Sequence, residues 1–88
     1  MNNVSIGERA RKYIIKTDMV LKNLRATEKT TSIGGNLVKS VIDEAKRYFE
    51  DAKYYFERKE YEVSLASIAY CEGLLDSLRM LGLVMFEW

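Results

Sequence analysis

Apolar side chains in the middle of the chain recur every seven residues and form a continuous stripe. Their spacings of three and four residues place them on one face of a helix. A seven-residue period also favours near-parallel packing against neighbouring helices. The stripe consists of three rows: Val38, Ala45 and Ala52; Val41, Tyr48 and Tyr55; and Ile42, Phe49 and Phe56. The pattern therefore predicts a long helix within a small helical bundle.

The segment before this stripe predicts a first helix over about residues 6–26. Ser5 and Glu8 have the spacing of a capping box, in which the serine accepts from a backbone amide and the glutamate reaches back. Between the first and second helices, residues 27–35 are rich in Thr and Ser and include two consecutive glycines. This composition is typical of a flexible connection.

The second predicted helix covers about residues 37–59 and the third about 62–81. Extending each apolar row by seven residues reaches Lys59, Glu62 and Val63. Two of these three are charged, so the stripe loses its phase there. Bases just before this point and acids just after it also suit a helix C-terminus followed by a helix N-terminus. The two helices therefore form a long helical hairpin.

The chain after the third helix is unusually apolar for a terminus. Gly82 suits a helix C-cap, and five of the six residues 83–88 are hydrophobic. Since termini fray unless they are tied down, this tail either folds back over the bundle or docks on another chain. These patterns predict a single all-α domain over residues 1–88, a three-helix up-and-down bundle with an apolar C-terminal tail.

Composition agrees with a small soluble domain. The 88 residues are 48% hydrophobic, enough for a core, and 31% charged, and the absence of proline suits long helices. The single cysteine, Cys71, has no partner for an intramolecular disulfide. We see neither a secretory signal nor an apolar run long enough to span a bilayer. We therefore expect a cytoplasmic protein without a membrane partner.

Charge is distributed unevenly along the chain. Residues 1–31 carry seven Lys and Arg against three Asp and Glu, whereas residues 32–88 carry seven against ten. The basic face of the first helix could contact nucleic acid, although its charges could equally pair with the acidic helices that follow. The residues of this face are Arg9, Arg11, Lys12 and Lys16.

Few residues suggest a chemistry. Glu72 and Asp76 lie four apart on one face of the third helix, and paired carboxylates can bind a divalent metal or act as acid and base. Two carboxylates alone, however, provide few groups for a metal or catalytic site, and the chain contains no histidine. Cys71 has no histidine to activate it and is better interpreted as a small core residue. We therefore expect no catalytic activity and no cofactor.

The third helix and the aromatic helix before it resemble the archaeal domain-of-unknown-function family 357, over most of the chain. The residues that carry the resemblance are Tyr61, Ala66, Tyr70, Glu72, Gly73, Leu74, Leu75, Asp76, Leu78, Leu81 and Gly82. The resemblance implies a three-helix bundle and an archaeal, cytosolic setting. It implies no activity, because the function of that family is itself unknown.

The leading hypothesis from the sequence is a non-catalytic module that docks on a protein partner or on a second copy of itself. Aromatic and apolar anchors carry much of the binding energy in such contacts. The expected contact residues are Met80, Leu83, Met85, Phe86 and Trp88 of the tail region, together with Tyr54 of the second helix. The alternatives are a nucleic-acid-binding protein that uses the basic face, and a metal-binding or small enzymatic module around Glu72 and Asp76.

Overall fold

The computed structural model describes residues 5–88, and for residues 31–33 the backbone alone. It confirms the all-α class, but it contains four helices instead of three, together with a two-stranded antiparallel ladder. The elements in chain order are α1 (Ile6–Asn23), β1 (Arg25–Ala26), α2 (Glu28–Ile33), α3 (Gly35–Glu57), α4 (Tyr61–Met80) and β2 (Val84–Met85).

The first helix begins as predicted and ends earlier than predicted. The Ser5 hydroxyl accepts from the Glu8 amide, and the Glu8 carboxylate accepts from the Ser5 amide, which completes the capping box. At the other end, Leu24 is extended and residues 25–26 pair with residues 84–85. The expected boundary at 26 was wrong because the helical pattern contains no signal of this distant partner.

The apolar stripe becomes the buried face of α3. Val38, Ala45, Phe49 and Ala52 are all buried. Ala45, Phe49 and Ala52 pack with core residues of α4, including Ile68. The seven-residue pattern therefore identified the face that enters the core.

The turn between α3 and α4 uses a left-handed residue that is not glycine. Lys59 has a φ of 63°. Its amide donates to the Phe56 carbonyl, and the Glu60 amide donates to the Tyr55 carbonyl. These are the two hydrogen bonds of a Schellman motif. The same pair of bonds ends α4, where Gly82 takes the left-handed position with a φ of 76°.

Contacts along the helices give their directions. Gly7, near the start of α1, lies against the ring of Tyr61 at the start of α4. Thr17, in the second half of α1, donates a hydrogen bond to Glu72 in the second half of α4. α1 and α4 therefore run in the same direction.

α3 runs opposite to α4, because Ala52 near the end of α3 accepts from Ser64 near the start of α4, while Val38 near the start of α3 packs with Leu78 near the end of α4. As a result, the end of α1, the start of α3 and the end of α4 all meet at one end of the molecule, which we call the apical end.

Candidate functional site

The C-terminal tail packs on its own bundle. Leu83 is 6% exposed and Val84 is 2% exposed, and both pack with Val38 of α3 and Leu78 of α4. The sequence-based assignment of Leu83 to a docking surface was therefore wrong, because its side chain is part of the core. Its contact with Leu78 is the apolar pair that commonly accompanies a Schellman motif.

The connection between α1 and α3 holds this tail in place. The hydroxyls of Thr27 and Thr30 donate to the carbonyls of Gly82 and Leu83, each at 2.6 Å. The Thr27 amide also donates to the Leu83 carbonyl at 3.0 Å. The expected flexible connection is thus an ordered clamp, which we call the threonine clamp (Thr27 and Thr30).

Around the clamped tail, apolar side chains remain exposed at the apical end. Met80, Leu37, Met85 and Leu81 are exposed by 76%, 66%, 63% and 62%. These are the four most exposed large hydrophobic residues in the described part of the chain. α3 begins there, α4 ends there and β2 follows directly, so the four belong to one end of the molecule. We call them the apical surface.

Sequence reasoning identified only half of the apical surface. Met80 and Met85 were expected in a contact, whereas Leu37 and Leu81 were not. The available signal for Leu37 was its position outside the three apolar rows, directly before the buried Val38. Leu81 lies next to the predicted C-cap glycine, where a side chain has few neighbours on its own helix.

Charged side chains of both signs accompany the apical surface. Arg25 pairs with Met85 in the ladder, and the Lys29 ammonium lies beside Gly82. Glu28 begins α2, and Glu87 follows β2. All four side chains are exposed, and within residues 5–88 none of them has an ion-pair partner. The apical rim therefore offers two bases and two acids for intermolecular pairs.

The two tail aromatics bind inside the molecule. Phe86 is half-buried and contacts both core clusters. The Trp88 indole N–H donates to the Asp76 carboxylate at 3.2 Å, and its ring packs edge-on against Phe86. The Lys16 ammonium lies 5.1 Å from the centre of the Trp88 ring. Both aromatics thus contribute more to anchoring the tail than to an open contact surface.

The paired carboxylates face separate partners. The Lys16 ammonium lies 3.6 Å from the Glu72 carboxylate, which also accepts a weak 3.4 Å bond from the Thr17 hydroxyl. The Asp76 carboxylate accepts two bonds from the Arg79 guanidinium. Those bonds, and the one from Trp88, hold the pKa of Asp76 below its ordinary value. The arrangement is a set of ion pairs that connects α1, α4 and the tail.

These carboxylates line an open groove of about 390 Å³ between α1 and α4. Ala69 and Gly73 also line it, and apart from its chain neighbours and the nearby backbone of α4, no atom lies within 4 Å of where a Cβ of Gly73 would stand. In the part of the chain that the structure describes, no three His, Cys, Asp or Glu side chains are grouped closely enough to hold a metal ion.

Cys71 is a core residue. Its side chain is fully buried and packs with the apolar residues of α3 and α4. Burial, and to a smaller extent the negative charge of Glu72, raise the pKa of its thiol to about 12. Because the thiolate is the nucleophilic form of cysteine, this environment keeps the side chain unreactive at neutral pH.

The four residues of the predicted basic face lie in two different environments. Arg9, Arg11 and Lys12 are exposed, and none has an ion-pair partner among the described residues. Lys16 is half-buried and engaged with Glu72, Trp88 and the ring of Tyr13. Three of the four expected residues therefore remain available on the surface of α1.

Tyr54 lies apart from the apical surface. It is half exposed, as expected, near the end of α3 that is joined to α4. The Arg58 guanidinium stands 5.4 Å from the centre of its ring. The structure thus does not bring Tyr54 together with Met80 and Met85.

The sequence matches the model of a known protein family. The family model described as a protein of unknown function (DUF357) matches residues 12–84, from within α1 to the first residue of β2. No curated protein and no solved structure matches the chain. Within residues 5–88, no helix is long and apolar enough to cross a membrane.

Proposed function

The chain belongs to the DUF357 family, and from its own surfaces we propose that it is a non-catalytic module that associates with a second copy of itself through the apical surface. The observation that carries this proposal is that the four most exposed apolar side chains all belong to one end of the molecule. Exposed apolar groups gathered in this way mark interaction sites on soluble proteins.

The size of the apical surface suits one side of a protein interface. Its four side chains expose on the order of 400 Å² of apolar area. A standard interface buries about 800 Å² per partner, a little more than half of it apolar. Two of the four residues are methionines, whose flexible side chains adapt well to a facing surface.

The charges at the rim favour a second copy over a strongly charged partner. In a two-fold dimer the same patch faces itself, so a patch that carries both signs can complement itself. Arg25 and Lys29 provide the bases and Glu28 and Glu87 the acids. A highly acidic or highly basic partner would meet as many like charges as opposite ones.

The scaffold that supports this surface is, in our proposal, an up-and-down bundle of α1, α3 and α4 in which α2 belongs to the connection. We propose that it acts without catalysis, in the cytoplasm. The buried free thiol of Cys71 suits a reducing compartment. The ion-paired arrangement of Glu72 and Asp76 suits a structural role better than a metal-binding or catalytic one.

The test is the mass of the protein in solution across a range of concentrations, measured by light scattering after size exclusion. We expect a transition from the 10.2 kDa monomer towards twice that mass. Met80→Lys should shift the protein to the monomer, because a charged group desolvated at an apolar interface is costly.

Tyr54→Lys is the matched control, since it adds the same charge at an exposed residue near the other end of α3. It should leave the association unchanged. A wild-type protein that stays monomeric at millimolar concentration would contradict the proposal, as would equal loss of association in both variants.

A further inference from the structure

The sulfur-containing side chains of the molecule lie in two different environments. Cys71, the one cysteine, is buried. The three methionines in the described part of the chain are exposed instead, Met80 by 76%, Met85 by 63% and Met19 by 61%. Methionine is among the residue types that are most often buried in proteins. The accessible sulfur atoms of residues 5–88 are therefore thioethers, and two of the three belong to the apical surface.

The buried thiol is protected from oxidation in two ways. Peroxides oxidise the thiolate form of cysteine, and burial together with the charge of Glu72 raises the pKa of the Cys71 thiol to about 12. The side chain is also packed inside the core, where a solute has no access to it. A thioether has no proton to lose, so its oxidation requires only exposure. Peroxide should therefore react with Met80 and Met85 before it reacts with Cys71.

We infer that Met80 and Met85 are oxidation sites, and that their conversion to methionine sulfoxide by hydrogen peroxide separates the two copies that associate through the apical surface. This inference rests on the proposed self-association. At each site the thioether sulfur attacks one peroxide oxygen, so that an S–O bond forms and the O–O bond breaks. The sulfur loses two electrons and the peroxide gains them. The departing hydroxide takes the proton of the transferred oxygen and leaves as water.

Because both side chains are exposed, oxidation changes association and leaves folding unchanged. A sulfoxide is polar and accepts hydrogen bonds, which water supplies in the monomer, where most of Met80 and Met85 is already in solvent. Inside an apolar interface the same oxygen loses its water and faces apolar side chains that donate no hydrogen bond. A modification shifts an equilibrium only when it changes the free energies of the two states differently. The oxidised chain therefore favours the monomer.

Oxidation also leaves the tail in place. Leu83 and Val84 hold the tail in the core, and the threonine clamp binds the carbonyls of Gly82 and Leu83. None of these contacts uses a methionine side chain. The oxidised protein should consequently keep the fold of the untreated one, so a loss of association can be assigned to the two sulfoxides.

The experiment treats the full chain with hydrogen peroxide at neutral pH until Met80 and Met85 are converted, and then removes the peroxide with catalase. Peptide mass spectrometry identifies each sulfur that has gained an oxygen, an increase of about 16 Da. Light scattering after size exclusion gives the mass in solution across a range of concentrations. We expect oxygen on the methionines, an unmodified Cys71, an unchanged circular dichroism spectrum and a dimer dissociation constant that rises by at least about tenfold.

Substitutions assign the effect to the apical methionines. Met80→Leu combined with Met85→Leu keeps the surface apolar with side chains of similar volume, and peroxide does not oxidise leucine. This double variant should associate as the wild type does, before and after treatment. Met19→Leu is the matched control, because it removes a methionine of similar exposure that is not part of the apical surface. Its association should remain as sensitive to peroxide as that of the wild type.

Two further measurements do not depend on complete oxidation. Met80→Gln combined with Met85→Gln places a polar acceptor of similar length at both sites, so this variant should be monomeric without any peroxide. Association should in turn slow the oxidation of the wild type, because the second copy covers both sites. At concentrations where the dimer forms, Met80 and Met85 should therefore react more slowly, relative to Met19, than they do in the dilute monomer.

The outcomes separate this inference from the proposed function. An untreated chain that stays monomeric at millimolar concentration contradicts the proposed function, and the inference with it. A dimer that survives complete oxidation of Met80 and Met85 overturns the inference alone and leaves the proposed function in place. Oxidation of Cys71 before either apical methionine also overturns the inference, as does a loss of peroxide sensitivity in Met19→Leu.

Discussion

Leu83 and Met85 stand two residues apart in the same apolar tail, and the structure gives them opposite environments. Leu83 lies in the core beside Val38 and Leu78, whereas Met85 is exposed on β2. Replacing each of them with alanine therefore compares truncation of a buried tail residue with truncation of an exposed one. The pair tests directly whether the tail is part of the fold.

The magnitude follows from the packing. Leu83→Ala removes three carbon atoms from a site that is 6% exposed, a transfer loss of about 2.4 kcal/mol at 0.8 kcal/mol per carbon. The cavity left behind increases the cost, so we expect a loss of about 3 kcal/mol in the free energy of unfolding. Met85→Ala removes exposed atoms and should cost less than about 0.5 kcal/mol.

The assay is urea unfolding followed by circular dichroism at 222 nm, at a concentration low enough for both variants to be monomeric. A domain of this size has an m-value of roughly 1 kcal/mol/M. The midpoint of Leu83→Ala should consequently fall by about 2–3 M relative to the wild type, and that of Met85→Ala should hardly change.

Midpoints that stay at the wild-type value in both variants would refute the reasoning, because a tail detached from the bundle would tolerate both substitutions. A fall of similar size in both would refute it as well, since it would mean that Met85 is buried too. Only a large difference between the two agrees with a tail that buries Leu83 and exposes Met85.

Further predictions concern the turn, a helix interior and the thiol. Lys59→Gly should be more stable than Lys59→Ala by about 1 kcal/mol, because glycine adopts the left-handed conformation without the clash of a Cβ; equal melting temperatures would contradict the role of this residue. Gly73→Ala should gain about 1 kcal/mol, since alanine is favoured in helix interiors and no atom opposes its methyl group; a lower melting temperature would contradict it. Cys71 should react with Ellman's reagent at pH 8 only as fast as the chain unfolds, and rapid labelling of the folded protein would contradict its burial. The unfolded thiol ionises near its ordinary value of about 8.5, whereas the pKa of the folded thiol is about 12. The folded state therefore holds the extra proton between these values, and stability should fall as the pH rises through that range.

Features that depend on nearby residues were predictable from the sequence. The capping box at Ser5 and Glu8 involves residues three apart, and the apolar stripe of α3 repeats every seven residues. The cap at Gly82 follows from one residue type at one helix end. Each of these is a local rule, and the structure follows each of them.

Features that depend on distant residues were not predictable. The threonine clamp joins side chains separated by 53 and 55 residues from the carbonyls that they bind. Likewise, residues 25–26 leave the helical pattern to pair with residues 84–85. A Thr-rich segment between two helices has the composition of a loop, and nothing within it indicates that its hydroxyls will meet the end of another helix.

The candidate site was only partly predictable for the same reason. Composition identified the tail as unusually apolar, but only the pairing register determines which of its side chains face inward. Ala26 pairs with Val84 and Arg25 with Met85. Because successive side chains on a strand point to opposite faces, this register buries Val84 and exposes Met85.

The clamped tail consequently has two roles that cannot be separated by deleting it. It completes the core through Leu83 and Val84, and it presents Met85 beside Met80 and Leu81 at the apical end. If association requires the folded apical surface, then mass action makes the dimer more stable than the monomer, and unfolding becomes dependent on concentration. Removing residues 83–88 would lower both stability and association, and the lost association could come either from the missing contact residues or from the destabilised fold. Met80→Lys avoids this ambiguity, because an exposed side chain can lose its partner without removing anything from the core.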